Sequence, residues 1–168
     1  KREDFEALDR ADALAPLRAR FHIPEGLNYL DGNSLGVLPK GVAERVNAVV
    51  VQQWGESLIR SWNDHGWFAL SQRVGDRIAR LIGAPKSSVI AGDTISVNLF
   101  KLLGAALKLN PDRRVILSDS GNFPSDLYVA QGMRDLLDVG YTLKIVEPEG
   151  VVDATDSSVA VMMLTEVD

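Results

Sequence analysis

Four short stretches of this sequence combine residue types and spacings that suit chemistry. The first, Gly92-Asp93-Thr94-Ile95-Ser96-Val97-Asn98, leads from a short apolar segment into a long apolar one. If a helix starts there, its first turn offers unpaired N–H groups and the positive end of the helix dipole, an arrangement that suits a phosphate. The hydroxyls of Thr94 and Ser96 would add donors. Asp, Thr and Ser are also preferred helix caps, so simple capping stands beside phosphate binding. The stretch lacks the Gly-Lys-Ser/Thr of a P-loop, and no Gly-x-Gly-x-x-Gly occurs anywhere in the chain. Two common nucleotide-binding loops are thereby excluded.

The second stretch, Ser118-Asp119-Ser120-Gly121-Asn122-Phe123-Pro124-Ser125-Asp126, also follows an apolar run. Pro124 suits a first helical turn, and Phe123 stands just before it. A ring placed there can stack on a planar cofactor, worth ~0.5–1.5 kcal/mol beyond burial, or serve as a hydrophobic staple on the new helix. The third, Tyr29-Leu30-Asp31-Gly32-Asn33-Ser34-Leu35-Gly36, is a tight loop. It is either a plain turn or a substrate-facing loop with Asn33 and Ser34 as donors. The fourth is His65 within Trp62-Asn63-Asp64-His65-Gly66-Trp67, either structural or a pH-active group. Two isolated histidines without cysteine do not make a metal site.

The elements that must position these stretches can be read from periodicity. Residues 3–20 read as helical with a break at Pro16, and Leu27–Leu30 as a short strand. Pro39 should open a long helix that carries Val42, Val46, Val49, Val50, Trp54 and Leu58. A second amphipathic helix runs from Trp67 to Ile82, with Gly83 at its C-terminus. Strands are expected at Ser88–Ala91, Val115–Ser118, Leu143–Val146 and Ala160–Leu164, and a helix at Ser125–Leu137. The Val97–Leu109 segment is apolar on nearly every side and should be a buried helix. This alternation predicts an α/β fold with a mostly parallel sheet and right-handed crossovers. The chain stops just after its final strand, where ligand-binding loops of parallel sheets usually follow, so it reads as a fragment of a longer protein.

Composition removes several classes of function. With 18 basic against 23 acidic residues, the chain lacks the cationic excess of a nucleic-acid surface. The absence of cysteine excludes disulfides and thiolate metal sites. Runs such as Val159–Leu164 are far shorter than the ~20 residues that span a bilayer. The segment Lys1-Arg2-Glu3-Asp4 has no apolar signal core, so a cytoplasmic protein without membrane attachment is expected.

In order along the chain, these stretches resemble the kynureninase family. Tyr29–Pro39 is similar to its N-terminal signature, and Gly92–Asn98 to its phosphate loop. Asn122–Asp126 is similar to its ring-stacking segment, and Met163–Asp168 to the strand end before the next active-site loop. The resemblance implies a fold-type-I, pyridoxal-phosphate-dependent transferase-like α/β architecture: a mostly parallel sheet, flanking helices and an N-terminal helical arm. Residues 1–62 would form the arm and a small-domain segment, and 63–168 the first part of the large cofactor-binding domain. It also implies a homodimer that hydrolyses L-kynurenine, or its 3-hydroxy form, to anthranilate and L-alanine in tryptophan catabolism, a route toward NAD biosynthesis.

By position, Ile95 (through its backbone) and Ser96 would hold the phosphate of pyridoxal 5'-phosphate. Phe123 would stack on its ring, Pro124, Ser125 and Asp126 would complete that wall, and Thr165 would lie near the cofactor. Asn33, Ser34 and His65 would face the substrate. The family's Schiff-base lysine and pyridinium-facing aspartate would lie beyond residue 168, which leaves no catalytic residue within this chain and predicts that it is inactive alone. Cysteine desulfurases and selenocysteine lyases share this layout, but they usually carry Asn-Ala-Ala where this chain has Asn33-Ser34-Leu35-Gly36. A non-catalytic α/β module is the alternative from another class.

Overall fold

The computed structural model describes residues 1–165, so Glu166, Val167 and Asp168 of the closing stretch lie outside the described residues. The chain divides into two compact units, Lys1–Arg73 and Val74–Asp168.

In the first unit, α1 (Arg2–Ala11) gives way to a 3-10 turn at Ala15–Arg20. Helix α1 ends before Pro16, which occupies the start of the new turn, where a missing N–H costs nothing. Two short strands follow, β1 (Phe21–His22) and β2 (Leu38–Pro39), paired antiparallel with Phe21 opposite Pro39. Pro39 therefore does not open a helix. It sits in an edge strand, where proline is tolerated, and Gly41, at φ +83°, redirects the chain into α2 (Val42–Ala48). The Leu27–Leu30 segment is not a strand, because it pairs with no strand among the described residues; the loop after it is closed by the Tyr29 hydroxyl, which donates to the Leu35 carbonyl at 2.6 Å.

The helix begun by α2 widens into π-type winding at Val49–Trp54 and returns to α3 (Gly55–Ser57). Leu58, at φ +49°, ends it. A 3-10 turn at Leu58–Arg60 and α4 (Ser61–Asp64) double back, held by the buried Ser61 hydroxyl, which donates to the Gln53 carbonyl at 2.5 Å. Trp62 packs edge-on against Trp67 and tilted against Phe68.

Helix α5 covers Leu70–Ile82 and ends at Gly83, whose φ of +71° matches the helix stop expected from sequence. In the second unit, residues 84–91 run along α5 instead of forming the expected strand. Gly75 makes this possible: a Cβ there would fall on the Val89 carbonyl. The Ser87 N–H donates to Asp76 Oδ1 at 2.8 Å and fixes the same approach.

The rest of the unit is α6 (Ile95–Leu109), β3 (Val115–Asp119), α7 (Pro124–Leu137), β4 (Thr142–Val146) and β5 (Val159–Met163). The three strands form a parallel sheet in the order β4-β3-β5, with Ile116 opposite Leu143 on one side and Val161 on the other. The centre strand β3 alternates its side chains between two cores, as strand geometry requires. Ile116 joins Leu103 and Leu107 of α6, Ala130 and Met133 of α7, and Ala160 and Met163 of β5. Leu117 points the other way, to Val151 and Val159. Each large apolar side chain removed from water here contributes roughly 1.5–3 kcal/mol. Helix α6 is not buried all round, contrary to the sequence expectation. Leu103 and Leu107 face the sheet, whereas Leu102 and Leu109 stay exposed, because the described residues cover one side of the helix only.

Candidate functional site

The carboxyl edge of the parallel sheet gathers most of the residues singled out from sequence. Helix α7 starts there because it follows β3 directly. Helix α6 starts there too. At its far end the Asn110 side chain donates to the carbonyl of Ala160 near the beginning of β5, whereas Leu99 in its first half shares a hollow of about 260 Å³ with Met163 and Leu164 at the strand's end. The helix therefore runs antiparallel to β5, and its N-terminus, Ile95 and Ser96, projects at the same edge as Phe123 and Thr165.

The turn into α6 is fixed from three directions. Thr94 caps the helix, its hydroxyl accepting from the Val97 N–H at 3.4 Å. Asn98 Nδ2 donates to the Gly92 carbonyl at 2.7 Å, and Lys101 is paired with the carboxylate of Asp93. Asp93 itself stands at φ +53°, a left-handed conformation that aspartate tolerates better than most residues. These contacts leave the N–H groups of Ile95 and Ser96 without an acceptor among the described residues. Two free N–H groups on the first turn of a fifteen-residue helix can bind an anion.

The turn into α7 is organised by Asn122, which is only 5% exposed. Its Nδ2 donates to Ser118 Oγ at 2.9 Å and to the Met163 carbonyl at 3.3 Å. Its Oδ1 accepts from the Phe123 N–H at 2.8 Å and from Thr165 Oγ1 at 2.6 Å. Ser118 closes the network by donating to the same Met163 carbonyl at 2.8 Å. A buried amide saturated in this way holds the chain around it in one geometry. Phe123 follows as the residue before the helix and is 66% exposed. Pro124 fills the first helical position, Ser125 Oγ lies 3.3 Å from Asp126 Oδ1, and Asp126 borders the hollow beside Leu99. Phe123 and Thr165 thus bond to one buried side chain, and Asp126 lines the same hollow as it does. Ile95 and Ser96 share no hydrogen bond with them.

This arrangement offers a dipole-assisted anion site and an exposed aromatic face at the same sheet edge. Comparison with curated proteins shows what it resembles. The chain is 52% identical to the kynureninase of Pseudomonas fluorescens over 172 residues, covering 99% of this chain and 41% of that protein. It is 53% identical, with the same coverage, to the kynureninases of Burkholderia mallei (strain SAVP1) and Burkholderia pseudomallei (strain 1106a). The chain is a homologue of kynureninase. It spans 41% of the length of these kynureninases, and no family model matches it.

The remaining residues selected from sequence belong to the first unit, which is described on its own terms. Asn33 and Ser34 lie in an exposed loop. His65 follows α4, with Nε2 2.9 Å from the Ser57 hydroxyl. It lines an open hollow of about 620 Å³ together with Arg45, Val49, Gln53, Trp67 and Arg73. The Trp67 indole N–H donates to Gln53 Oε1 at 2.8 Å, which fixes the ring.

Sequence reasoning passed over Asn122, Ser118 and Asn98 as individual residues. An asparagine placed just before Phe-Pro at a strand-to-helix turn was the available signal for the first. The partners of Asn122, Met163 and Thr165, lie more than forty residues away, and no local pattern announces them.

Proposed function

We propose that this chain forms the N-terminal part of a pyridoxal 5'-phosphate-dependent kynureninase of fold type I. The complete enzyme would hydrolyse the carbon–carbon bond of L-kynurenine, or its 3-hydroxy form, to give anthranilate and L-alanine in tryptophan catabolism. The observation that carries this reading is 52–53% identity to curated kynureninases across 99% of the chain.

The residues present fit the cofactor. The unclaimed N–H groups of Ile95 and Ser96 suit its phosphate, and the exposed Phe123 ring suits its planar face. When bound, pyridoxal phosphate supplies an electron sink for the substrate's developing carbanion. In this reading Ile95 and Ser96 anchor the phosphate, and Phe123 clamps the ring. Pro124, Ser125 and Asp126 complete that wall, and Thr165 closes the sheet edge beside it. Asn33, Ser34 and His65 face the substrate. Residues 1–62 form the arm and small-domain segment, and 63–168 the start of the cofactor domain. The enzyme would work as a cytoplasmic homodimer. Among the described residues no helix is long and apolar enough to cross a membrane. The covalent lysine and the pyridinium-facing aspartate would come from the rest of the protein, so this chain alone would not turn over substrate.

The test is anthranilate fluorescence after L-kynurenine and pyridoxal phosphate are added to the longer protein. A cofactor-dependent rise is expected. A folded, cofactor-loaded protein that releases no anthranilate would overturn the reading.

A further inference from the structure

The hollow in the first unit has a distinctive chemistry. Its lining includes two arginines, Arg45 and Arg73, and no acidic residue. The Arg45 side chain has no hydrogen-bond or ion-pair partner among the described residues, and that of Arg73 makes only a long contact, 3.5 Å, with the Gly66 carbonyl. The acidic residue nearest in sequence to His65, Asp64, is already engaged by Arg60 at 2.7 Å. The lining also includes Ala48, Val49 and Leu70 and the indole of Trp67, whose N–H is held by Gln53. At about 620 Å³ the space lies within the range of small-molecule sites, ~300–1,000 Å³.

We propose that this hollow binds an aromatic carboxylate. A guanidinium presents a planar fork that matches a carboxylate, and an indole whose N–H is already satisfied offers its face to an aromatic ring. A plain inorganic anion would leave the apolar wall unused, and a neutral ring would leave Arg45 unpaired. The proposal uses residues of the first unit alone. It shares only His65 with the kynureninase reading, and it does not require cofactor or turnover.

The experiment is a titration of the full chain, without cofactor, with benzoate, followed by NMR at the Trp67 indole and His65 ring. Saturable shifts at both are expected, with affinity falling roughly tenfold in Arg45→Gln and in Arg73→Gln, the loss of one charge-assisted hydrogen bond. Arg10→Gln, on α1 and outside the hollow, should bind like the parent. Three results would overturn the proposal: benzamide binding as tightly as benzoate, inorganic phosphate displacing benzoate at equal concentration, or both hollow variants binding unchanged. None of these involves anthranilate release, so this inference and the enzymatic one fail separately.

Discussion

The Thr165 hydroxyl donates a 2.6 Å hydrogen bond to the side-chain oxygen of Asn122, joining residues 43 positions apart at the carboxyl edge of the sheet. The same oxygen accepts the Phe123 N–H. One buried amide therefore sets both the end of β5 and the residue that presents its ring. Asn122→Ala should lower unfolding stability by about 1–3 kcal/mol, since Ser118 and Thr165 lose their partner. In the longer protein it should also weaken cofactor binding, because Phe123 loses its anchor. Denaturant unfolding and a pyridoxal phosphate titration check the two effects.

Phe123 separates stability from binding. Its ring is mostly exposed, so Phe123→Ala should change unfolding stability by no more than ~0.5 kcal/mol. Cofactor affinity and anthranilate production in the longer protein should both fall. Phe5→Ala, another exposed phenylalanine, on α1, should leave both intact. Matching behaviour of the two variants would count against ring stacking.

Ser96 tests the other turn. Its removal leaves the Thr94 cap in place, so Ser96→Ala should fold normally and raise the cofactor's dissociation constant. An unchanged constant would return the turn to plain capping.

Two glycines should respond to alanine in opposite senses. At Gly75 the new methyl meets the Val89 backbone, an overpacking that typically costs about 1–3 kcal/mol. At Gly132, inside α7, nothing lies within 4 Å of the added carbon, and the helix should gain roughly 0.5–1 kcal/mol. Thermal melts of the two variants are the measurement.

Asp156, in the turn before β5, is held below the ordinary carboxylate range, first by the Ser158 hydroxyl, then by the Ser158 N–H, with Lys144 adding a smaller attraction. A depressed carboxylate stabilises the folded state above its unfolded pKa and loses that contribution as pH falls through its folded value. Loosening of this turn should therefore begin only in acid below the usual carboxylate titration. Ser158→Ala should move the Asp156 titration, followed by carboxyl carbon NMR, back toward the ordinary range.

The second unit was more legible in the sequence than the first. The strands at 115, 142 and 159 and the helix at 124 all present strong apolar runs bounded by Gly, Pro or Asp. Tertiary structure merely confirms such local preferences. Pro39 departs from the expected helix start because its role depends on a strand partner, Phe21, eighteen residues earlier. The segment at 88–91 has strand-like side chains, but Gly75 gives its backbone a helix to lie against. Helix α6 was expected to be covered on every side, yet hydrophobic composition does not specify which neighbours supply the cover. At the candidate site, the stretches around Ile95 and Phe123 were visible as turn chemistry. The network centred on Asn122 was not, since Met163 at the end of β5 and Thr165 just beyond it are distant in sequence.

The strand order β4-β3-β5 also has a consequence for how the protein is made. Chain synthesis delivers β3 and β4 well before β5, yet β5 supplies Ala160 and Met163 to the main core and the carbonyl that receives Ser118. Until residue 163 clears the ribosome, one edge of β3 stays open while its apolar side chains are already in place. A nascent chain in that interval carries an unpaired, hydrophobic strand edge, the feature that invites pairing between molecules. Among the described strands, β5 is therefore the one whose arrival covers the open edge of β3.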